Sequence, residues 1–151
     1  MLKLSKKMLF AIEAVVDIAY HAGNLPVQNR EITRRQGIPR RYLEQVLQHL
    51  VRAGILIGVR GPRGGYRLAR ERRRISVGEI SRVVLNMETA GNPIEDEAGS
   101  AIGHKVVRPL WQRLQNEVMD RINTITVEDL CLLAHQGGIE SEVHQKLDFT
   151  I

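Results

Sequence analysis

Two helices joined by a glycine turn, a basic glycine- and proline-containing hairpin directly after them, and a long amphipathic stretch downstream together predict a mainly helical chain. The expected architecture is a winged helix-turn-helix with a long C-terminal dimerisation helix. Residues 1–75 would form the winged unit. Residues 76–151 would hold a capping helix, a variable loop (87–104), the dimerisation helix (about 106–122), a last helix and a tail.

Ser5 can cap a first helix running to about Ala22, with Gly23-Asn24 ending it. Met8, Ile12, Val15, Val16 and Ala19 recur at helical spacing and predict its core face. A short second helix fits from about Gln28 to Gln36, with Ile32 inward and Gly37 at the end, where a left-handed backbone is needed. Pro39 opens a third helix. There Leu43, Val46, Leu47, Leu50 and Val51 form a buried stripe, while Arg41, Gln45, Gln48 and Arg52 lie opposite, with Arg40 and Glu44 at the edge. Two short strand-like runs, 55–59 and 66–68, flank Arg60-Gly61-Pro62-Arg63-Gly64-Gly65, a turn stiffened by its proline.

Ser76 with Glu79 reads as a capping box opening a helix to about Asn86. The stretch from Met87 to Gly103 is glycine-rich and acidic (Glu95, Asp96, Glu97) and reads as a mobile loop. In the long helix that follows, Pro109 is expected in the first turn, since an earlier start would require a kink. Val107, Leu110, Trp111, Leu114 and Val118 make an apolar stripe suited to a dimer seam. Thr126 and Asp129 suggest a weaker cap for a last helix to about Ala134.

Charge narrows the function. The 151 residues carry a formal charge of +5, but residues 1–75 hold 16 Lys+Arg against five Asp+Glu (net +11), whereas residues 76–151 hold six against 12 (net −6). Such asymmetry points to a nucleic-acid or anionic-surface module followed by something else. Arg40 and Arg41 could donate to guanine or phosphate, Glu44 could accept from cytosine, Gln45 could pair with adenine, and Gln48 lies on the same DNA-facing side. Arg60 and Arg63 flank a stiff wing tip suited to a narrow minor groove. Lys6 and Lys7 sit in a helix first turn, where the dipole disfavours cations, so they are expected to face an anion.

Other classes find little support. The glycine turn opens no helix and lacks nucleotide-binding spacing, the five histidines are scattered, and no serine or cysteine stands in a nucleophilic context. An enzyme is not expected. Cys131, the single cysteine, shares a helix face with Val127, Leu130 and Ala134 and is expected to be buried and structural. No apolar run reaches the roughly 18 residues of a membrane span. The first apolar run is broken by Glu13, unlike a signal peptide, which makes the cytoplasm the expected compartment.

Several stretches resemble the winged-helix transcription regulators typified by IscR, NsrR and CymR. These are Lys3-Leu4-Ser5, Tyr42-Leu43-Glu44-Gln45, Val59-Arg60-Gly61-Pro62 with Gly64-Gly65-Tyr66, Val77-Gly78-Glu79-Ile80, Leu110-Trp111 and Ile125-Thr126, spread over about residues 1–135. The resemblance implies a cytoplasmic homodimer that binds double-stranded DNA sequence-specifically. It implies Tyr42, Glu44 and Gln45 at the major groove and Arg60 at the minor groove. Arg40 and Arg41 stand where IscR has small polar residues, so the operator does not carry over. The sensing region departs further. No cysteine lies between Met87 and Gly103, Lys105 and Arg108 replace a cysteine and a histidine of that region, and Leu9 stands where some relatives use a first-helix ligand.

The expected function is therefore a repressor on a pseudo-palindromic operator, with no cofactor and no assigned metal site. A redox sensor using a cluster or metal, and a protein-binding winged helix, are the alternatives. Glu95, Asp96 and His104 on the loop could suit a divalent ion, or the loop could dock a small-molecule or protein effector.

Overall fold

The computed structural model describes residues 5–88 and 93–143. Among the described residues, six α-helices and one hairpin follow in the order α1 (Lys6–His21), α2 (Asn29–Gln36), α3 (Arg40–Arg52), β1 (Leu56–Val59), β2 (Gly65–Leu68), α4 (Val77–Met87), α5 (Arg108–Asn123) and α6 (Val127–Gln136). A mainly helical winged helix-turn-helix is what the sequence predicts. The Lys3-Leu4 motif, part of the 87–104 loop (residues 89–92) and the end of the tail lie outside the described residues.

Local chemistry starts and stops these elements as expected. Ser5 Oγ accepts from the Met8 N–H at 3.1 Å, satisfying one of the free donors at the start of α1. Gly37 takes φ +66°, the left-handed conformation that ends α2 without the strain a Cβ would bring. Ser76 and Glu79 exchange reciprocal bonds of 3.1 and 2.9 Å. Thr126 and Asp129 do the same at 3.1 and 2.9 Å. The cap on α6, expected to be the weaker of the two, is thus a complete capping box. The two box residues also pair as an antiparallel bridge, and the Val127 N–H donates to the Ile75 carbonyl at 2.9 Å. The starts of α4 and α6 are therefore pinned side by side.

One core crosses the boundary between the basic and acidic halves. Ala11, Ala14, Val15 and Ile18 of α1 meet Leu43, Val46, Leu47 and Leu50 of α3, Ile80 and Val84 of α4, and Val127 and Cys131 of α6. Met8, Ile12 and Val16 pack at its margin, as does Val51 at the end of the α3 stripe. The charged groups inside are compensated. Asp17 is 2% exposed and accepts two bonds of 2.8 Å from Arg35 and one of 2.7 Å from Gln36. A buried carboxylate persists where a partner and further donors replace its water.

The largest departure from expectation lies before α5. Residues 101–102 are already helical, and Gly103–Val107 forms a π-helical stretch that runs directly into α5. The Arg108 N–H donates to the Gly103 carbonyl, five residues back. Proline in a helix has no N–H to give and crowds the carbonyl four residues earlier. Widening the preceding turn makes room for Pro109 without ending the helix, a usual place for a π-bulge. The described part of the loop also carries local structure. Pro93–Glu95 forms a 3-10 turn, and Arg108 donates to the carbonyls of Asp96 and Ala98 while His104 contacts the Glu97 carbonyl at 3.1 Å.

Candidate nucleic-acid interface

The wing is attached to the helix-turn-helix by backbone hydrogen bonds. Val27, just ahead of α2, pairs with Tyr66 of β2 through bonds of 3.0 and 2.8 Å. Gly65 makes this approach possible, since a Cβ there would fall 2.4 Å from the Val27 carbonyl oxygen. At the tip, Gln28 Nε2 donates to the Pro62 carbonyl at 3.2 Å. The β2 side and the tip of the turn are thus tied to the start of α2, leaving Arg60 and Arg63 exposed at the end of a braced hairpin.

α3 projects Arg40, Arg41, Gln45 and Gln48 to the exterior. Glu44 is half-buried and accepts from Arg40 Nε at 3.0 Å, so the free protein pairs these two across one helical turn. Tyr42 is turned inward. Its hydroxyl donates to the Lys7 carbonyl at 2.6 Å, and its ring lies 6.0 Å from that of Phe10. Burial, with the charge of Glu88 adding to it, pushes the phenol up to about 12. Tyr42 is a neutral bolt between the starts of α1 and α3. It holds Lys6 and Lys7, both exposed, beside the first turn of α3.

Between α2, α3 and the wing runs an open cleft of about 1110 Å³ whose rim includes Arg30, Thr33, Arg34, Arg40 and Arg60. The α2 arginines are the part of this surface that sequence reasoning missed. Arg30 and Arg34 stand four residues apart on a helix burying Ile32 alone, and that spacing was the available signal. The arginine run after the wing does not join them. Arg70 donates to Glu79 at 3.1 Å and Arg72 to Glu128 at 2.9 Å, cross-linking the fold, while Arg73 pairs with Glu71.

The family described as iron-dependent transcriptional regulator, Rrf2, matches residues 4–132. The chain belongs to this family. The HTH-type transcriptional regulator IscR of Vibrio vulnificus is 32% identical over 99% of this chain and 88% of its own length. IscR of Vibrio atlanticus is 35% identical over 99% of this chain and 86% of its own length. Among solved structures, IscR of T. potens superposes with a TM-score of 0.72 at 34% identity, covering 93% of both chains. CymR, the global cysteine regulator of B. subtilis, gives 0.69 at 30%, covering 88% of this chain and 98% of its own. This Rrf2 protein is a DNA-binding transcription regulator, and its relatives are regulators rather than enzymes. Among the described residues no helix is long and apolar enough to cross a membrane.

The residues present do not fit an iron–sulfur cluster. Such clusters are held by several thiolates, and the sequence has one cysteine. Cys131 is 2% exposed, and burial, with Glu128 adding to it, raises its thiol above the ordinary range against the pull of Arg72. In the described part of the loop, a cation, Arg108, holds the backbone carbonyls together. Nor does any group of three His, Cys, Asp or Glu there come together as a metal site; Glu95, Asp96 and His104 are not so arranged among the described residues.

Proposed function

We propose that this protein is a homodimeric repressor that binds a pseudo-palindromic operator and does so without an iron–sulfur cluster. The observation that carries the reading is the exposed cationic rim shared by α2, α3 and the wing. Arg40, Arg41, Gln45 and Gln48 of α3 would read or hold the major groove, with Glu44 released from Arg40 to accept from a base. Arg60 and Arg63 would enter the adjacent minor groove, and Lys6 and Lys7 would hold phosphate. Tyr42 would act by fixing α1 against α3.

Dimerisation is supported by α5, which buries no residue in the single chain. Val107, Leu110, Trp111 and Val118 are 54%, 44%, 38% and 45% exposed, with Leu114 half-buried beside them. Ile102 and Val106, at 68% and 60%, extend the apolar surface upstream. A second copy covering this face would place two α3 helices on one duplex with two-fold symmetry. Repression then follows by occlusion of the operator.

The experiment is selection of bound sequences from random duplex DNA with air-exposed protein, followed by sedimentation of the complex. Two related half-sites whose centres lie about one helical turn or a small multiple apart, bound by two chains, are expected. A single half-site bound by one chain would overturn the dimer. Anaerobic purification with iron and sulfide analysis tests the rest, since stoichiometric iron and sulfide lost on Cys131→Ala would restore the redox-sensor alternative.

A further inference from the structure

Beyond Gly137 the chain turns back onto the helix-turn-helix. The Tyr20 hydroxyl donates to the Ile139 carbonyl, Ser141 Oγ donates to the Tyr20 carbonyl at 2.8 Å, and the Glu142 N–H donates to His21 Nδ1 at 3.1 Å. These bonds seat residues 139–143 on the end of α1 and deliver one carboxylate to α2. Glu142 accepts from Arg34 Nη2 at 3.0 and 2.8 Å and from Arg35 Nη1 at 2.6 Å. Burial works against ionisation, yet the hydrogen bonds from Arg34 and Arg35 hold the Glu142 carboxyl below the ordinary range.

The two arginines differ in what they need. Arg35 is 8% exposed in its side chain and already has Asp17 as a bidentate partner at 2.8 Å. Arg34 is 62% exposed in its side chain, has no carboxylate besides Glu142 among its described ion pairs, and stands on the rim of the cationic cleft with Arg30, Arg40 and Arg60. A guanidinium accepts a carboxylate or a phosphate through the same pair of N–H groups.

We propose that residues 139–143 are a built-in competitor for DNA: the Glu142 carboxylate occupies on Arg34 the place that a backbone phosphate takes, and the duplex displaces it. This rests on the DNA-binding reading above. Displacement leaves Arg35 paired with Asp17, so the fold is kept. It breaks an ion pair that is largely solvated on the Arg34 side, and such pairs hold weakly. The tail thereby lowers affinity for all sequences alike and leaves base preference untouched.

The test uses the full chain and the duplex recovered by selection, with binding measured across a salt series. Glu142→Gln is expected to bind roughly two- to five-fold tighter, the range for releasing only the Arg34 side of the pair, 62% exposed, while Arg35 keeps Asp17. Its salt dependence should change little, since Arg34 neutralises the same phosphate in both forms once Glu142 is displaced. Ser141→Ala, which loosens the same segment without touching an arginine, should shift affinity the same way. In an Arg34→Ala background, Glu142→Gln should give no gain. In the unsubstituted protein, adding duplex should speed hydrogen exchange at the Glu142 amide. Salt-dependent binding by the unsubstituted protein with no gain in Glu142→Gln, or a gain that survives Arg34→Ala, overturns this proposal alone. Failure of every form to bind duplex overturns the DNA reading and this proposal with it.

Discussion

The winged unit and α5 solve the problem of apolar surface in opposite ways. Each of α1, α2 and α3 buries residues within the chain, and the wing is tied down by backbone bonds to Val27. α5 buries none, although it is as long as α1. Solvent exposure of Leu110, Trp111 and Val118 on one helix costs hydration free energy that burial would recover at about 25 cal/mol per Å². The contrast teaches that the proposed DNA surface is assembled within one chain, whereas the proposed dimer face of α5 is left uncovered by it.

The largest effect expected falls on the winged unit. Asp17→Ala removes the bidentate carboxylate from buried Arg35, leaves it a single bond to Glu142, and should cost about 3 kcal/mol in denaturant unfolding, because most of what replaced the water around that charge is gone. A loss below 1 kcal/mol would mean that the core beneath α2 is wetter than its burial indicates. The α5 face should respond differently. Trp111→Glu with Leu110→Glu is expected to convert a dimer to a monomer in sedimentation at micromolar concentration and to remove the concentration dependence of melting. The monomer should keep its helical circular dichroism. If helix content is lost instead, α5 is needed for the fold, and the contrast between the regions fails.

Smaller effects sharpen the division within the DNA surface. Glu44→Ala should change the preferred base at one position per half-site, by about 1–3 kcal/mol of discrimination. An unchanged selected sequence would leave Glu44 as a partner of Arg40 and nothing more. Smallest of all, Arg60→Ala and Lys7→Ala should each weaken binding to many sequences alike and reduce the salt slope by about 0.9.

What the sequence made legible was local. The α3 stripe, both capping boxes, the left-handed turn at Gly37 and the wing glycines follow from side-chain spacing and backbone sterics within a few residues, and the structure has each of them. What stayed hidden depends on distant partners or on an uncommon backbone form. Pro109 read as a boundary because proline usually is one, and the π-helical turn that admits it leaves no periodic mark. Arg108 read only as the replacement of a histidine of the sensing region, whereas it clamps carbonyls 10 and 12 residues upstream. Nothing near Glu142 in sequence indicates Arg34 or Arg35, more than 100 residues away. For the candidate site, the residues of α3 and the wing were proposed from motif and charge, whereas those of α2 carried only a spacing signal that the cleft makes meaningful.

The Val27–Tyr66 bridge has a mechanical consequence. Hydrogen bonds on the β2 side and at the tip of the turn make the wing and the helix-turn-helix a caliper of fixed span, since neither jaw swings without breaking the Val27–Tyr66 pairing. Whatever adjustment binding requires between neighbouring grooves then falls on the duplex. Sequences with easily kinked pyrimidine–purine steps, or with a minor groove already narrow at the wing, meet that demand at lower elastic energy than stiff ones. Selection on this protein would therefore leave a trace at base pairs that no side chain reaches.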